Sequence, residues 1–138
     1  MTVPIRSSAP IVVDVALAGR AYDIAIGRGL LAGLGGRVAA LRPGARVAIV
    51  TDEVVAKQHL AAAEASFGQA GIETSRVVVP AGEATKSYAM FESVCEDVIA
   101  ARIERGDLVV ALGGGVIGDL AGFAASAVRR GVDYVQVP

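Results

Sequence analysis

Two apolar runs without polar alternation, Arg46-Val-Ala-Ile-Val-Thr51 and Asp107-Leu-Val-Val-Ala-Leu112, constrain this chain more than any other feature. Side chains of a strand point alternately to opposite faces, so a run that is apolar throughout has both faces covered. That occurs almost only in parallel sheets with helices on either side. The surrounding sequence fits. Residues 53–70 read as a helix ending at Gly71, and Arg76-Val-Val-Val79 reads as a strand stopped by Pro80-Ala-Gly82. Residues 86–103 read as a helix with Phe91, Val94, Cys95, Val98 and Ile99 on its apolar face. Residues 116–129 form a small-residue helix, and Asp133-Tyr-Val-Gln-Val137 a last strand. This alternation predicts right-handed βαβ units and an α/β fold, a Rossmann-like doubly wound, mostly parallel sheet. Ahead of it, Ile11–Leu17 and Ala21–Ile26 flank Ala18-Gly19-Arg20 and predict a β-hairpin. Apolar residues at 30, 31, 34, 38 and 41 predict a helix over 27–41, stopped by Pro43-Gly44. Residues 1–10 read as a loose lead-in and 11–138 as one domain.

Composition narrows the classes of function. At 138 residues and 54% hydrophobic, the chain suits one packed domain rather than a disordered segment. A net charge of −1 provides no electrostatic footprint for a nucleic-acid partner. The longest charge-poor apolar stretch, 108–118, is too short to span a bilayer and is broken by glycines, so no membrane partner is expected. The N-terminus lacks the apolar core of a signal peptide. One cysteine excludes an internal disulfide framework, which points to a reducing, cytoplasmic setting. One His and one Cys cannot build a usual metal site, so His59 and Cys95 are expected in structural roles. In open α/β sheets ligands sit just beyond the carboxyl ends of the strands. The last strand runs to Pro138, and the expectation is therefore that these residues are the front of a longer protein.

The turn Leu112-Gly-Gly-Gly-Val-Ile-Gly-Asp119 joins a strand to a helix, and Gly113, Gly115 and Gly118 have G-x-G-x-x-G spacing. Missing side chains let a diphosphate approach the backbone, where free N–H groups and the helix dipole favour an anion. The alternative is a tight turn with close helix–sheet packing. An ordinary dinucleotide fingerprint lies in the first βα turn, with an acidic residue at the end of the next strand. Here Asp133 begins the next strand and points to the wrong end, so Asp52 is the better ribose candidate, unless it merely caps the following helix. In Pro80-Ala-Gly-Glu-Ala-Thr-Lys-Ser87, Thr85 or Ser87 can cap a helix, and Lys86 would then face the unfavourable end of its dipole. Glu83 or a bound phosphate would balance it. Arg129-Arg130-Gly131 has the composition of a helix C-terminus and cap.

Gly113–Ala125 together with Arg130-Gly-Val-Asp-Tyr-Val-Gln-Val-Pro138 closely resembles the 3-dehydroquinate synthase family, here its N-terminal NAD-binding domain. Gly82-Glu-Ala-Thr-Lys86 resembles that family's Gly-Glu-x-x-Lys segment, and Val50-Thr-Asp52 its first nucleotide-contact strand end. The resemblance implies a lyase of the shikimate pathway of aromatic amino-acid biosynthesis. It would convert 3-deoxy-D-arabino-heptulosonate 7-phosphate to 3-dehydroquinate and phosphate, with NAD and a divalent metal, zinc or cobalt. It also implies roles. Asp52 would hold the adenosine ribose, and Glu83 and Lys86 would contact the nucleotide. Gly114, Gly115, Val116 and Asp119 would line the diphosphate and nicotinamide ribose. Arg130 would reach the phosphate of the small-molecule substrate across a homodimer interface. Val54 stands where some family members carry Asn. The family's Thr-Thr segment, metal ligands, substrate lysines and helical C-terminal domain are absent from these residues, so the segment alone is expected to be inactive. The alternatives are a related sugar-phosphate cyclase, a metal-dependent polyol dehydrogenase, or a free-standing nucleotide-binding module.

Overall fold

The computed structural model describes residues 9–138, so most of the expected lead-in lies outside the described residues. The first elements among the described residues are a hairpin, β1 (Ile11–Val15) and β2 (Tyr22–Ile26), closed by a turn in which Arg20 N–H donates to the Leu17 carbonyl. Its register sets Ile11, Val13 and Val15 opposite Ile26, Ile24 and Tyr22. Those six side chains share one face of the ribbon.

The second sheet has four parallel strands: β3 (Val47–Asp52), β4 (Thr74–Val79), β5 (Leu108–Leu112) and β6 (Asp133–Val137). Their order is β4-β3-β5-β6. The central strands explain the continuous apolar runs. Val47, Ile49, Leu108, Val110 and Leu112 pack into one buried cluster, and Ala48, Val50, Val109 and Ala111 into the other. On the first face lie α1 (Leu34–Leu41) and α3 (Ala61–Gln69), anchored by Val38 and Phe67. The opposite face is covered by α4 (Tyr88–Ala100) and α5 (Gly115–Ala127), through Val94, Val98, Leu120 and Ala124. The expected Rossmann-like α/β sheet with its N-terminal hairpin is therefore present. No helix among the described residues is long and apolar enough to cross a membrane.

Boundaries differ where local chemistry overrides periodicity. The helix expected over 27–41 starts later, because Gly29 sits at φ 69° and Leu30–Gly33 form a 3₁₀ turn before α1. Over 53–70 the helical path is continuous but uneven, from α2 (Glu53–Val55) through a π-helical stretch (Ala56–Leu60) into α3. Strand β4 begins two residues before the expected Arg76, because Thr74 and Ser75 still pair with Val47 and Ala48. Helix α4 spans 88–100 rather than 86–103: Ser87 caps it by accepting from Met90 N–H, and Arg102 at φ 58° lies beyond its end. Helix α5 starts at Gly115 and stops at Ala127, after which Arg129 and Arg130 turn left-handed.

One buried polar atom stands out in β3. The Thr51 hydroxyl is fully buried and has no hydrogen-bond partner among the described residues. Such an orphan loses its water without recompense. Thr51→Val should therefore raise stability by about 1 kcal/mol, read as a shift in denaturant midpoint at unchanged slope.

Candidate functional site

From β3 the chain moves outward to β4, and from β5 it moves outward in the other direction to β6. The strand order therefore reverses between β3 and β5. In open α/β sheets the crevice beyond the carboxyl ends of such a strand pair is where ligands bind. Asp52 ends β3, the Gly113–Gly115 turn follows β5, and the Pro80–Ser87 loop follows β4. The fold thus places seven of the candidate residues, Asp52, Glu83, Lys86, Gly114, Gly115, Val116 and Asp119, on loops and helix starts at one edge of the sheet.

Asp52 is extended, and its Oδ1 accepts from Val54 N–H at 2.8 Å and Val55 N–H at 2.9 Å. It caps the helix that begins at Glu53, so the capping role weighed from sequence is real. Among the described residues Oδ2 forms no hydrogen bond to protein, and one carboxylate oxygen remains for a ligand. Asp52→Ala should cost about 1 kcal/mol of stability through loss of the cap. Asp52→Asn keeps an acceptor oxygen and should cost much less, which a thermal melt of the two variants compares directly.

The glycines of the turn divide into two kinds. Gly113 has φ 157°, and a Cβ there would lie 3.0 Å from Ile117 Cγ1, so the fold itself demands glycine. Gly114 has φ −78°, Gly115 is the first helical residue, and a Cβ on either would meet nothing within 4 Å. Neither is required by backbone conformation or packing. The close helix–sheet packing considered from sequence accounts for Gly113 alone in this triplet. Beside Gly114 and Gly115 lie the open N–H groups of the first turn of α5, which lack intrahelical acceptors.

Lys86 departs from the sequence reading. It is not in the first turn of a helix; it closes the 3₁₀ turn Glu83–Thr85 and precedes the Ser87 cap. Its ammonium does not pair with Glu83 either. It donates to Asp119 Oδ2 at 2.6 Å, tying the β4–α4 loop to α5. The hydrogen bond and charge of Asp119 hold Lys86 above the usual lysine range, with Glu83 a smaller contributor. A raised lysine keeps its charge at neutral pH, and its contribution is present in full below the unfolded-state value and lost as pH rises through the folded-state value. The pair is exposed, so its link to stability is slight. Thr85 does not cap α4. Its buried hydroxyl donates to the Pro80 carbonyl at 2.5 Å and holds the loop shut.

Sequence reasoning missed what lies beside this ion pair. Lys86, Tyr88, Phe91, Asp119 and Phe123 line a cavity of about 340 Å³ between α4 and α5, with the Phe91 and Phe123 rings stacked at 4.5 Å. The partners are 33 residues apart for Lys86 and Asp119, and nothing in local spacing marks them.

Arg130 is not brought to this edge. Helix α5 is 13 residues long, about 20 Å at 1.5 Å per residue, and Arg130 lies past its far end. There it faces a cavity of about 320 Å³ with Glu104, Arg105 and Arg129. Arg129 and Arg130 do not act as charges in a helix's last turn, as their composition suggested. Both have left the helix, at φ 52° and 61°. Asp133, at the amino end of β6, pairs with Arg42. Cys95 packs against the α4–α5 core, and burial pushes its thiol up, away from nucleophilic use. Among the described residues no three His, Cys, Asp or Glu side chains gather as a metal site requires. The described residues therefore do not fit a metal centre.

Comparison with known proteins places this geometry. Residues 76–138 match the family model described as 3-dehydroquinate synthase N-terminal. The chain is 68% identical over all 138 residues to the 3-dehydroquinate synthase of Nitrobacter hamburgensis and spans 36% of that protein's length. A 2-deoxy-scyllo-inosose synthase, solved with carbaglucose-6-phosphate, NAD+ and Co2+, superposes with a TM-score of 0.80 at 25% identity, over 93% of this chain and 35% of that one. The 2-epi-5-epi-valiolone synthase of Streptomyces hygroscopicus, solved with NAD+ and Zn2+, gives 0.74 at 31% identity, over 90% of this chain and 34% of that one. Along its whole length the chain is thus closely similar to part of a 3-dehydroquinate synthase, and over residues 76–138 it carries that family's N-terminal pattern.

Proposed function

We propose that residues 11–138 are the NAD-binding domain of a 3-dehydroquinate synthase, which converts 3-deoxy-D-arabino-heptulosonate 7-phosphate to 3-dehydroquinate and phosphate in the cytoplasm. The observation that carries the reading is the pair Gly114 and Gly115. Neither is needed by the fold, and both face open space at the strand-order reversal. A bare backbone there suits a diphosphate seated on the α5 N-terminus. Asp52 Oδ2 is free to accept from the adenosine ribose, and its charge would repel the 2′-phosphate of NADP. Lys86 and Asp119, joined to each other, would flank the diphosphate, with Val116 in the first turn of α5 and Glu83 at the start of the β4–α4 loop's 3₁₀ turn as further contacts. NAD held by these residues would supply reversible hydride acceptance to the substrate. The residues here bind and orient it, and these 138 residues alone should not turn over substrate.

Arg130 is assigned to the substrate phosphate of a second copy. Its place past the far end of α5, away from the glycine turn of its own chain, supports this reading. Its guanidinium makes no ion pair among the described residues, although its backbone sits in a conformation that glycine would adopt more cheaply. The high identity to a 3-dehydroquinate synthase favours that substrate over those of the related cyclases. A zinc or cobalt ion, present in the solved neighbours, would be held by residues other than those described.

Calorimetric titration tests the reading. NAD should bind the chain at least tenfold more tightly than NADP. Asp52→Asn should weaken NAD by roughly tenfold, the worth of a charge-assisted hydrogen bond, and narrow the preference. A chimera in which these residues replace the matching segment of the Nitrobacter hamburgensis enzyme should make 3-dehydroquinate. Unchanged NAD affinity in Asp52→Asn would remove the ribose role, and an inactive but folded, NAD-binding chimera would point to another cyclase.

A further inference from the structure

The non-glycine residues with left-handed backbone among those described are Arg102, Arg129 and Arg130, and all three lie at the edge of the sheet opposite the glycine turn. Left-handed backbone is strained for a residue that bears a side chain. Two such residues in succession persist only if something holds them. Arg129 shows what does. Its Nε donates to the Ile103 carbonyl at 3.3 Å, and its guanidinium lies 3.5 Å from Glu104 Oε1. Those acceptors sit on a turn that is itself pinned. Buried Asp107 accepts from Glu104 N–H at 2.8 Å through Oδ2 and from Arg46 N–H at 2.8 Å through Oδ1. The corner is closed on its own side by Gly131 N–H to the Val128 carbonyl and Val132 N–H to the Ala125 carbonyl.

We propose that Arg129 is a positioning residue. By clamping the exit of α5 onto the 103–107 turn, it fixes the left-handed corner from which Arg130 projects. Arg105 lines the same cavity as Arg130, so that two guanidiniums are available to one anion of the phosphate-ester class. Glu104 is the one acidic residue lining that cavity, and the clamp engages it. Its charge is thereby turned from the anion toward Arg129. The inference rests on the proposed role of Arg130 and adds to it the residue that aims it.

Glycine makes the discriminating variant, because it occupies the left-handed region without strain. In the Nitrobacter chimera, Arg129→Gly should leave the melting temperature unchanged or raised. It should also raise KM for the heptulosonate phosphate, and the inhibition constant of inorganic phosphate, about tenfold, with kcat falling less than threefold. Arg129→Lys, which can still reach Glu104, should recover part of the loss. A stable Arg129→Gly enzyme with unchanged KM, beside an Arg130→Gly enzyme whose KM rises, overturns the positioning role and leaves the Arg130 assignment standing. An Arg130→Gly enzyme with unchanged KM removes that assignment and this inference with it.

Discussion

Gly35→Ala should destabilise the protein by about 3 kcal/mol, lowering the melting temperature by roughly 10 °C, although alanine is the better helix former. Gly35 lies buried in α1, where a Cβ would sit 2.1 Å from the Ser66 carbonyl oxygen and 3.0 Å from the Phe67 Cα. These are backbone atoms of α3 and cannot swing aside. The two helices are also stitched there. Gly35 N–H donates to Ser66 Oγ at 2.9 Å, and Ser66 Oγ donates to the Ala32 carbonyl at 2.9 Å. Pushing the helices apart would therefore cost hydrogen bonds as well as packing around Val38 and Phe67. Its neighbour is the control. Gly36 is exposed, with nothing within 4 Å of a Cβ, so Gly36→Ala should stabilise by up to about 1 kcal/mol. Chemical denaturation of the two single variants checks both signs. Equal effects would show that α1 and α3 do not meet as described.

The second large effect is on ligand binding. Gly115→Ala, alone or with Gly114→Ala, should leave the fold as stable as before, or slightly more so, since neither position needs glycine structurally. Affinity for NAD should nevertheless fall between about tenfold and a hundredfold, because a methyl group placed at a close backbone–ligand contact costs roughly 1–3 kcal/mol. Gly113→Ala is the contrast. Its Cβ meets Ile117, so stability should fall along with binding. Titration calorimetry paired with thermal melts separates the two behaviours. A Gly114→Ala, Gly115→Ala protein that binds NAD as well as the parent would move the nucleotide away from this turn.

Much of the architecture was legible because it depends on short-range patterning. A strand covered on both faces has little choice but to be apolar throughout, so β3 and β5 declared themselves, and β3 was bounded to within a residue. The glycine turn was legible for a similar reason, since three glycines between such a strand and a helix have few other uses. The partner of Lys86 was not legible. Its pairing with Asp119 rather than Glu83 follows from the packing of α4 beside α5. The corner at Arg129 and Arg130 was misread as a helix end, because Arg-Arg-Gly composition suits a C-cap. What holds it in another conformation is a turn more than twenty residues earlier in the chain.

By itself, the sequence determined the class of fold and the place of the glycine turn, because each is written in contiguous residues whose chemistry admits few alternatives. Only the tertiary structure decided which glycines serve the fold and which stand free for a ligand. Gly35 and Gly36 are adjacent and chemically identical, and what separates them is the carbonyl of Ser66, 31 residues away along the chain, whose oxygen stands 2.1 Å from where a Cβ on Gly35 would go. Gly113 and Gly114 are separated in the same way, by whether Ile117 stands where a Cβ would go. Steric demand belongs to the neighbours a residue acquires on folding, and no local pattern records who they will be.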